Sequence, residues 1–212
     1  MPSILVLDLG GCEGCIASIM NSYPKLEKKY DLYISYLGNL NLDREFDFAI
    51  VSGPVSLVSS EKIDLLKKVR ENSKILVAYG SCASVGGIFL YSKGQNCRFA
   101  SIGKVVDIDY SIPGCPPASR TIINFLNCIE KKGGRFLELF KALTKYQKLS
   151  GFDLIDDVVL TGLCVGCGAC TLSCPTEALQ LVDGVPDLIV EKCIRCGTCI
   201  VRCPKFTQNI LR

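Results

Sequence analysis

Near its C-terminus the chain carries one cysteine pattern twice: Cys164-x-x-Cys167-x-x-Cys170-x-x-x-Cys174-Pro175 and Cys193-x-x-Cys196-x-x-Cys199-x-x-x-Cys203-Pro204. Three cysteines spaced this closely wrap one tight loop around three corners of an iron-sulfur cubane, so the fourth ligand must come from elsewhere. Where this run is repeated to hold two clusters, the cysteine before proline ligates the opposite one. The spacing therefore predicts Cys164, Cys167, Cys170 and Cys203 on one [4Fe-4S] cluster, and Cys174, Cys193, Cys196 and Cys199 on a second. Gly166, Gly168 and Gly197 let backbone amides approach the cluster sulfurs, and the prolines turn the chain away. Paired zinc sites leave no role for the third cysteine of each run, and disulfides do not suit a chain with no secretory signal.

Between the two runs, Pro175–Leu179 reads as a helical turn, and Leu179–Val182 and Val185–Val190 read as strands around Asp183-Gly184. Residues 157 to 209 resemble the bacterial-type ferredoxin fold, a small α+β unit. A unit of that size lacks a large core, and clusters supply the cross-links that burial does not.

Residues 1–150 alternate strand and helix patterns, and 151–212 form the second unit. Ile4–Leu7, Leu32–Leu37, Phe46–Val51, Ile75–Tyr79 and Val105–Tyr110 read as strands. Helical spacing follows through Ile16, Ile19, Met20 and Tyr23, broken at Pro24 and resumed to Tyr30. It recurs after a cap at Ser60, from Ala118 to Ile129, and again from Phe136 to Leu143. Apolar strands alternating with helices imply an α/β domain with a parallel sheet covered on both faces.

In such sheets, sites form beyond the C-terminal strand ends. Three of those ends carry cysteines: Gly11-Cys12-Glu13-Gly14-Cys15, Gly80-Ser81-Cys82-Ala83-Ser84-Val85-Gly86-Gly87 and Pro113-Gly114-Cys115-Pro116-Pro117. Their convergence predicts a third cubane held by Cys12, Cys15, Cys82 and Cys115. Cys12 and Cys15 also stand at a helix N-terminus, which favours thiolate. A phosphate-binding turn at Gly10–Gly14 or a dithiol pair at Cys12 and Cys15 are the alternatives. The first leaves both cysteines unexplained, and the second leaves Cys82 and Cys115 without a purpose. Cys128 reads as a small buried hydrophobe, Cys97 as a free loop thiol and Glu13 as a solvated loop carboxylate or a proton or interface group.

Composition narrows the partners. The formal charge of +3 from 24 basic and 21 acidic residues falls to about −3 once twelve thiolates hold three oxidised cubanes. A nucleic-acid partner is not expected, and Lys192, Arg195 and Arg202 read as solvated or docking residues. No apolar run reaches the length of a membrane span and no twin-arginine signal opens the chain, so a cytoplasmic location is expected.

The ordered set Cys12-x-Gly14-Cys15, Gly80-x-Cys82-Ala83-x-x-Gly86-Gly87-Ile88 and Pro113-Gly114-Cys115-Pro116-Pro117 resembles the small subunit of [NiFe] hydrogenases over residues 3 to 130. With the two-cluster module attached, the chain is most similar to the gamma subunits of coenzyme F420-reducing hydrogenases of methanogenic archaea. Periplasmic relatives carry a histidine-ligated distal cluster, whereas this chain has no histidine. Complex I-type relatives commonly place two cysteines side by side. The resemblance implies a flavodoxin-like domain whose cluster lies proximal to a nickel-iron site in a separate large (alpha) subunit. It also implies electron exit through the ferredoxin pair to an FAD-containing beta subunit that reduces coenzyme F420. The chain itself then has no catalytic site. The alternative is a relay module of another redox complex lacking the nickel subunit.

Overall fold

The computed structural model describes residues 1–36, 42, 44–91, 98–146 and 149–211. Strand β1 (Ser3–Asp8) is buried at every position, as a central strand covered on both faces must be. It pairs in parallel with β2 (Asp31–Tyr36) on one side and β3 (Phe46–Ser52) on the other. β4 (Ser73–Tyr79) and β5 (Tyr110–Ile112) extend the sheet beyond β3, also in parallel, giving the order β2-β1-β3-β4-β5. The direction of winding reverses between β1 and β3, which opens a crevice at the C-terminal strand ends.

Alternate residues of the strands feed two cores. Ile4, Val6, Ile50, Val77 and Tyr79 pack with Ile122, Phe125 and Leu126 of helix Ser119–Glu130, while Leu5, Leu7, Val51 and Leu76 pack with Leu66 and Val69 of helix Ser60–Glu71. The latter helix is capped one residue earlier than the sequence suggests, because the Ser59 hydroxyl accepts from Lys62 N–H at 3.4 Å. The first helical stretch divides into α1 (Gly14–Met20) and a short turn, Tyr23–Leu26, with Pro24 in its opening positions.

The expected strand Val105–Tyr110 is displaced. Ile102–Lys104 forms a 3-10 turn, and backbone pairing begins only with Asp109 N–H, which donates to Leu76 O at 2.9 Å, the strand itself running from Tyr110. The cause is Asp109, whose carboxylate accepts from Leu76 N–H at 2.7 Å and pairs with Arg70 at 2.6 Å. A side chain thereby occupies the ladder position that backbone would have filled. Val105, Val106 and Ile108 pack part-buried against the second core instead.

In the C-terminal unit, β6 (Leu179–Val182) and β7 (Val185–Leu188) form an antiparallel hairpin. Asp183 and Gly184 at its tip both have positive φ, which suits a tight two-residue turn. The second strand stops at Leu188, since Val190–Lys192 turns into a 3-10 segment. Pro175–Leu179 is not helical: Glu177 takes a φ of 53°, and Leu179 already belongs to β6. The first core continues through Leu149, Leu154, Val158, Leu179, Ile200 and Phe206, and the Tyr146 and Phe206 rings meet at 5.7 Å. The small unit thus borrows apolar burial from the sheet domain. Among the described residues no helix is long and apolar enough to cross a membrane.

Candidate iron-sulfur centres

The loops after β1, β4 and β5 bring Cys12, Cys15, Cys82 and Cys115 to one edge of the sheet. Cys12 is exposed and the other three are half-buried. Cys82 lies on α2 (Ser81–Val85), entered through Gly80 at φ 88° and ψ 158°. A side chain at Gly80 would overlap Cys15 Sγ, and one at Gly87 would approach Cys82 Sγ to 3.2 Å. The glycines leave room for sulfur where other residues would place carbon.

Burial pushes the Cys15 and Cys82 thiols up to about 12 and Cys115 up to about 11. After burial, the largest influences are the other cysteines. Cys15 is raised by Cys82, Cys12 and Cys115, Cys82 by Cys115 and Cys12, and Cys115 by Cys196 and Cys12. The depression that a helix N-terminus would give Cys15 is therefore not found, because burial and neighbouring sulfur outweigh one end of a seven-residue helix. Cys15, Cys82 and Cys115 are therefore poor anions alone and good ligands for a cationic core, whose binding releases their protons.

One zinc ion would draw four sulfurs to within about 4 Å of one another. Among the described residues no group of three or more Cys, Asp or Glu is placed to hold a single metal ion. A cubane instead gives each thiolate its own corner iron.

The C-terminal cysteines fall into two interleaved groups. A cavity is lined by Cys164, Cys167, Cys170 and Cys203, closed by Val158 and Pro186. Burial raises Cys170, as do Cys203 and Cys164. Burial also raises Cys199, followed by Cys196, Cys193 and Cys174. Each run lends its last cysteine to the opposite group. Amide donors reach the sulfurs: Ala178 N–H donates to Cys174 Sγ at 3.2 Å and Gly166 N–H to Cys164 Sγ at 3.5 Å. At Cys174 burial pushes the thiol up, yet amides of Thr176 and Ala178 outweigh it and the net shift is downward.

Cys196 joins the two units. It raises both Cys82 and Cys115, so the group of Cys174, Cys193, Cys196 and Cys199 sits beside the sheet edge. The Cys164 group is the outer one. Cys167 is exposed, and around its loop Leu160, Leu163, Val165 and Leu172 are exposed too, Leu172 at 90%. Such a collar of large apolar side chains is characteristic of an interaction surface.

Sequence reasoning overlooked Asp8. Its buried carboxylate accepts from Gly10 N–H at 3.0 Å and adds negative charge beside Cys15 and Cys82. A polar residue closing the all-apolar run of β1 was the available clue. Glu13 is exposed, takes a φ of 61° and precedes α1. Cys128 is half-buried, its sulfur packed against Gly134. Arg195 lies over the Phe152 ring at 5.1 Å, whereas Lys192 and Arg202 are exposed. Cys97 lies outside the described residues.

Comparison with known proteins matches residues 12–129 to the NADH ubiquinone oxidoreductase, 20 Kd subunit family and residues 157–204 to the 4Fe-4S dicluster domain. Coenzyme F420 hydrogenase subunit gamma of Methanosarcina barkeri is 36% identical over 200 residues, spanning 84% of this chain and 77% of the relative. The same subunit of Methanococcus voltae is 32% identical over 214 residues, 88% of each chain. In fold, a chain of an NAD+-reducing [NiFe]-hydrogenase in the H2-reduced state superposes with a TM-score of 0.52 at 23% identity, covering 63% of this chain and 93% of that one. The chain belongs to the coenzyme F420 hydrogenase gamma-subunit family, and it joins a domain of the 20 Kd subunit type to a 4Fe-4S dicluster domain.

Proposed function

We propose that this chain is the electron-relay subunit of a cytoplasmic [NiFe] hydrogenase that reduces coenzyme F420, with a division between its two units near residue 150. In this reading Cys12, Cys15, Cys82 and Cys115 hold a [4Fe-4S] cluster facing a nickel-iron large subunit. Cys174, Cys193, Cys196 and Cys199 hold the middle one, and Cys164, Cys167, Cys170 and Cys203 hold the outer one. Bound cubanes supply one-electron redox chemistry. The chain's own residues would set the order of the three sites and donate amides to the sulfurs of the C-terminal pair.

The observation that carries the reading is the electrostatic reach of Cys196 to Cys82 and Cys115, which supports a path from the sheet-edge cysteines into the C-terminal pair. The apolar collar around Cys167 favours exit there, to an FAD-bearing subunit whose flavin converts single electrons into a hydride for the deazaflavin. Purification of the native complex tests this directly. A nickel-containing large subunit and hydrogen-dependent F420 reduction are expected. Isolation with redox partners that lack nickel would replace this reading with a relay of another complex, an alternative favoured by the match to a ubiquinone oxidoreductase subunit.

A further inference from the structure

Behind the sheet-edge cysteines lies a hydrogen-bond chain that none of the motifs announces. Tyr79, the last residue of β4, is fully buried at 0% exposure, and Ser18 on α1 is 5% exposed. Their hydroxyls lie 3.2 Å apart, and Ser18 Oγ donates to the Pro117 carbonyl at 2.5 Å. Ser18 has one proton, committed to Pro117, so Tyr79 is the donor in the other bond. The sequence separations are 61 and 99 residues.

Each member of the chain belongs to a cysteine-bearing segment. Ser18 follows Cys15 by one helical turn, Tyr79 precedes Cys82 across Gly80, and Pro117 follows Cys115 in the same loop. A second tie joins two of these segments: Ser81 N–H donates to Gly114 O at 2.8 Å, and Gly114 N–H donates to Ser81 Oγ at 3.1 Å. Cys15, Cys82 and Cys115 are thereby referenced to one another from below. Cys12, on its exposed loop, has no place in either tie. Burial leaves little water to replace a lost partner, so each bond is costly to break.

We propose that the Tyr79–Ser18–Pro117 hydroxyl chain is the positioning device of the sheet-edge centre, fixing Cys15, Cys82 and Cys115 relative to one another before metal arrives. Ser18 and Tyr79 are positioning residues that act through the ligands. The inference rests on reading those cysteines as cluster ligands.

The test uses the full chain loaded anaerobically with iron and sulfide, in wild type, Tyr79→Phe, Ser18→Ala and the double variant. Loss of iron to a chelator and the midpoint potential of each cluster are followed by electron paramagnetic resonance. The ferredoxin-type pair serves as an internal reference in every sample. Ser18→Ala, which breaks both bonds of the chain, should lose sheet-edge iron at least about tenfold faster, that factor being the equivalent of one buried hydrogen bond. It should also shift the sheet-edge potential while the other two stay in place. Tyr79→Phe, which leaves the Ser18–Pro117 bond intact, should do less, and the double variant should be no worse than Ser18→Ala, since it removes the buried hydroxyl that Ser18→Ala leaves without a partner. Unchanged iron loss and potential in both single variants would overturn the proposal, as would equal loosening of all three clusters. A wild-type chain with only the ferredoxin-type pair would overturn the ligand reading itself, and the proposal with it.

Discussion

Replacing Gly80 with alanine should cost the sheet-edge site its metal while leaving the C-terminal unit loaded. The backbone there, at φ 88° and ψ 158°, lies in a region open almost only to glycine, and holding alanine in it costs about 1–3 kcal/mol. The new methyl also overlaps Cys15 Sγ, and relieving such overpacking costs a further ~1–3 kcal/mol. The cheapest relief is for Cys15 to rotate away, which removes a ligand. At about 1.4 kcal/mol per tenfold, even the lower sum of ~2 kcal/mol weakens the site more than tenfold. Iron per chain, measured after anaerobic loading and gel filtration, should fall from about twelve to about eight. Gly184→Ala is the control: its φ is 78°, but nothing lies within 4 Å of the added carbon, so it carries backbone strain alone and should keep all its iron. A Gly80→Ala chain with full iron and an unchanged melting temperature would refute the reasoning.

Further outcomes follow from the same geometry. Cys196→Ala should lose the iron of one cubane, about four atoms, and stop hydrogen-driven reduction of the outer cluster while the sheet-edge cluster is still reduced; continued reduction of the outer cluster would remove Cys196 from the series. Leu172→Lys, at a side chain 90% exposed, should change stability by no more than about 0.5 kcal/mol yet weaken binding of the electron-accepting partner, as read by titration of the purified subunits. Asp47 is held below its ordinary value of 3.8 chiefly by the Lys74 hydrogen bond and then by Ser3 N–H. Its contribution is therefore present above that value and lost as pH falls through the depressed one. Asp47→Asn should be less stable than wild type at neutral pH, and urea midpoints of the two should converge below pH 3.8.

Local spacing made much of this molecule readable. The paired cysteine runs imply their interleaved grouping because three ligands two residues apart exhaust one loop, and the structure brings Cys170 near Cys203 and Cys199 near Cys174. The alternation of apolar strands with helices gave the parallel sheet and located three cysteine loops at one edge. Tertiary substitution hid the rest. Val105–Tyr110 has the composition of a strand, but Asp109 fills a ladder position with its carboxylate, a choice visible only once Arg70 and Leu76 are adjacent. Pro175–Leu179 looks like the start of a helix until the pairing of Leu179 with Leu188 claims its end for a hairpin. The nearness of Cys196 to Cys115, and the Tyr79–Ser18–Pro117 chain, join residues tens of positions apart with no periodicity to mark them.

The three-site series is tested most directly by anomalous X-ray scattering at the iron edge from crystals of the loaded full chain. Three iron groups are expected, one at the edge of the sheet, one bounded by Cys174, Cys193, Cys196 and Cys199 beside it, and one beneath the Leu160 and Leu172 collar. Two groups confined to the C-terminal unit, or scattering at the zinc edge instead, would contradict it.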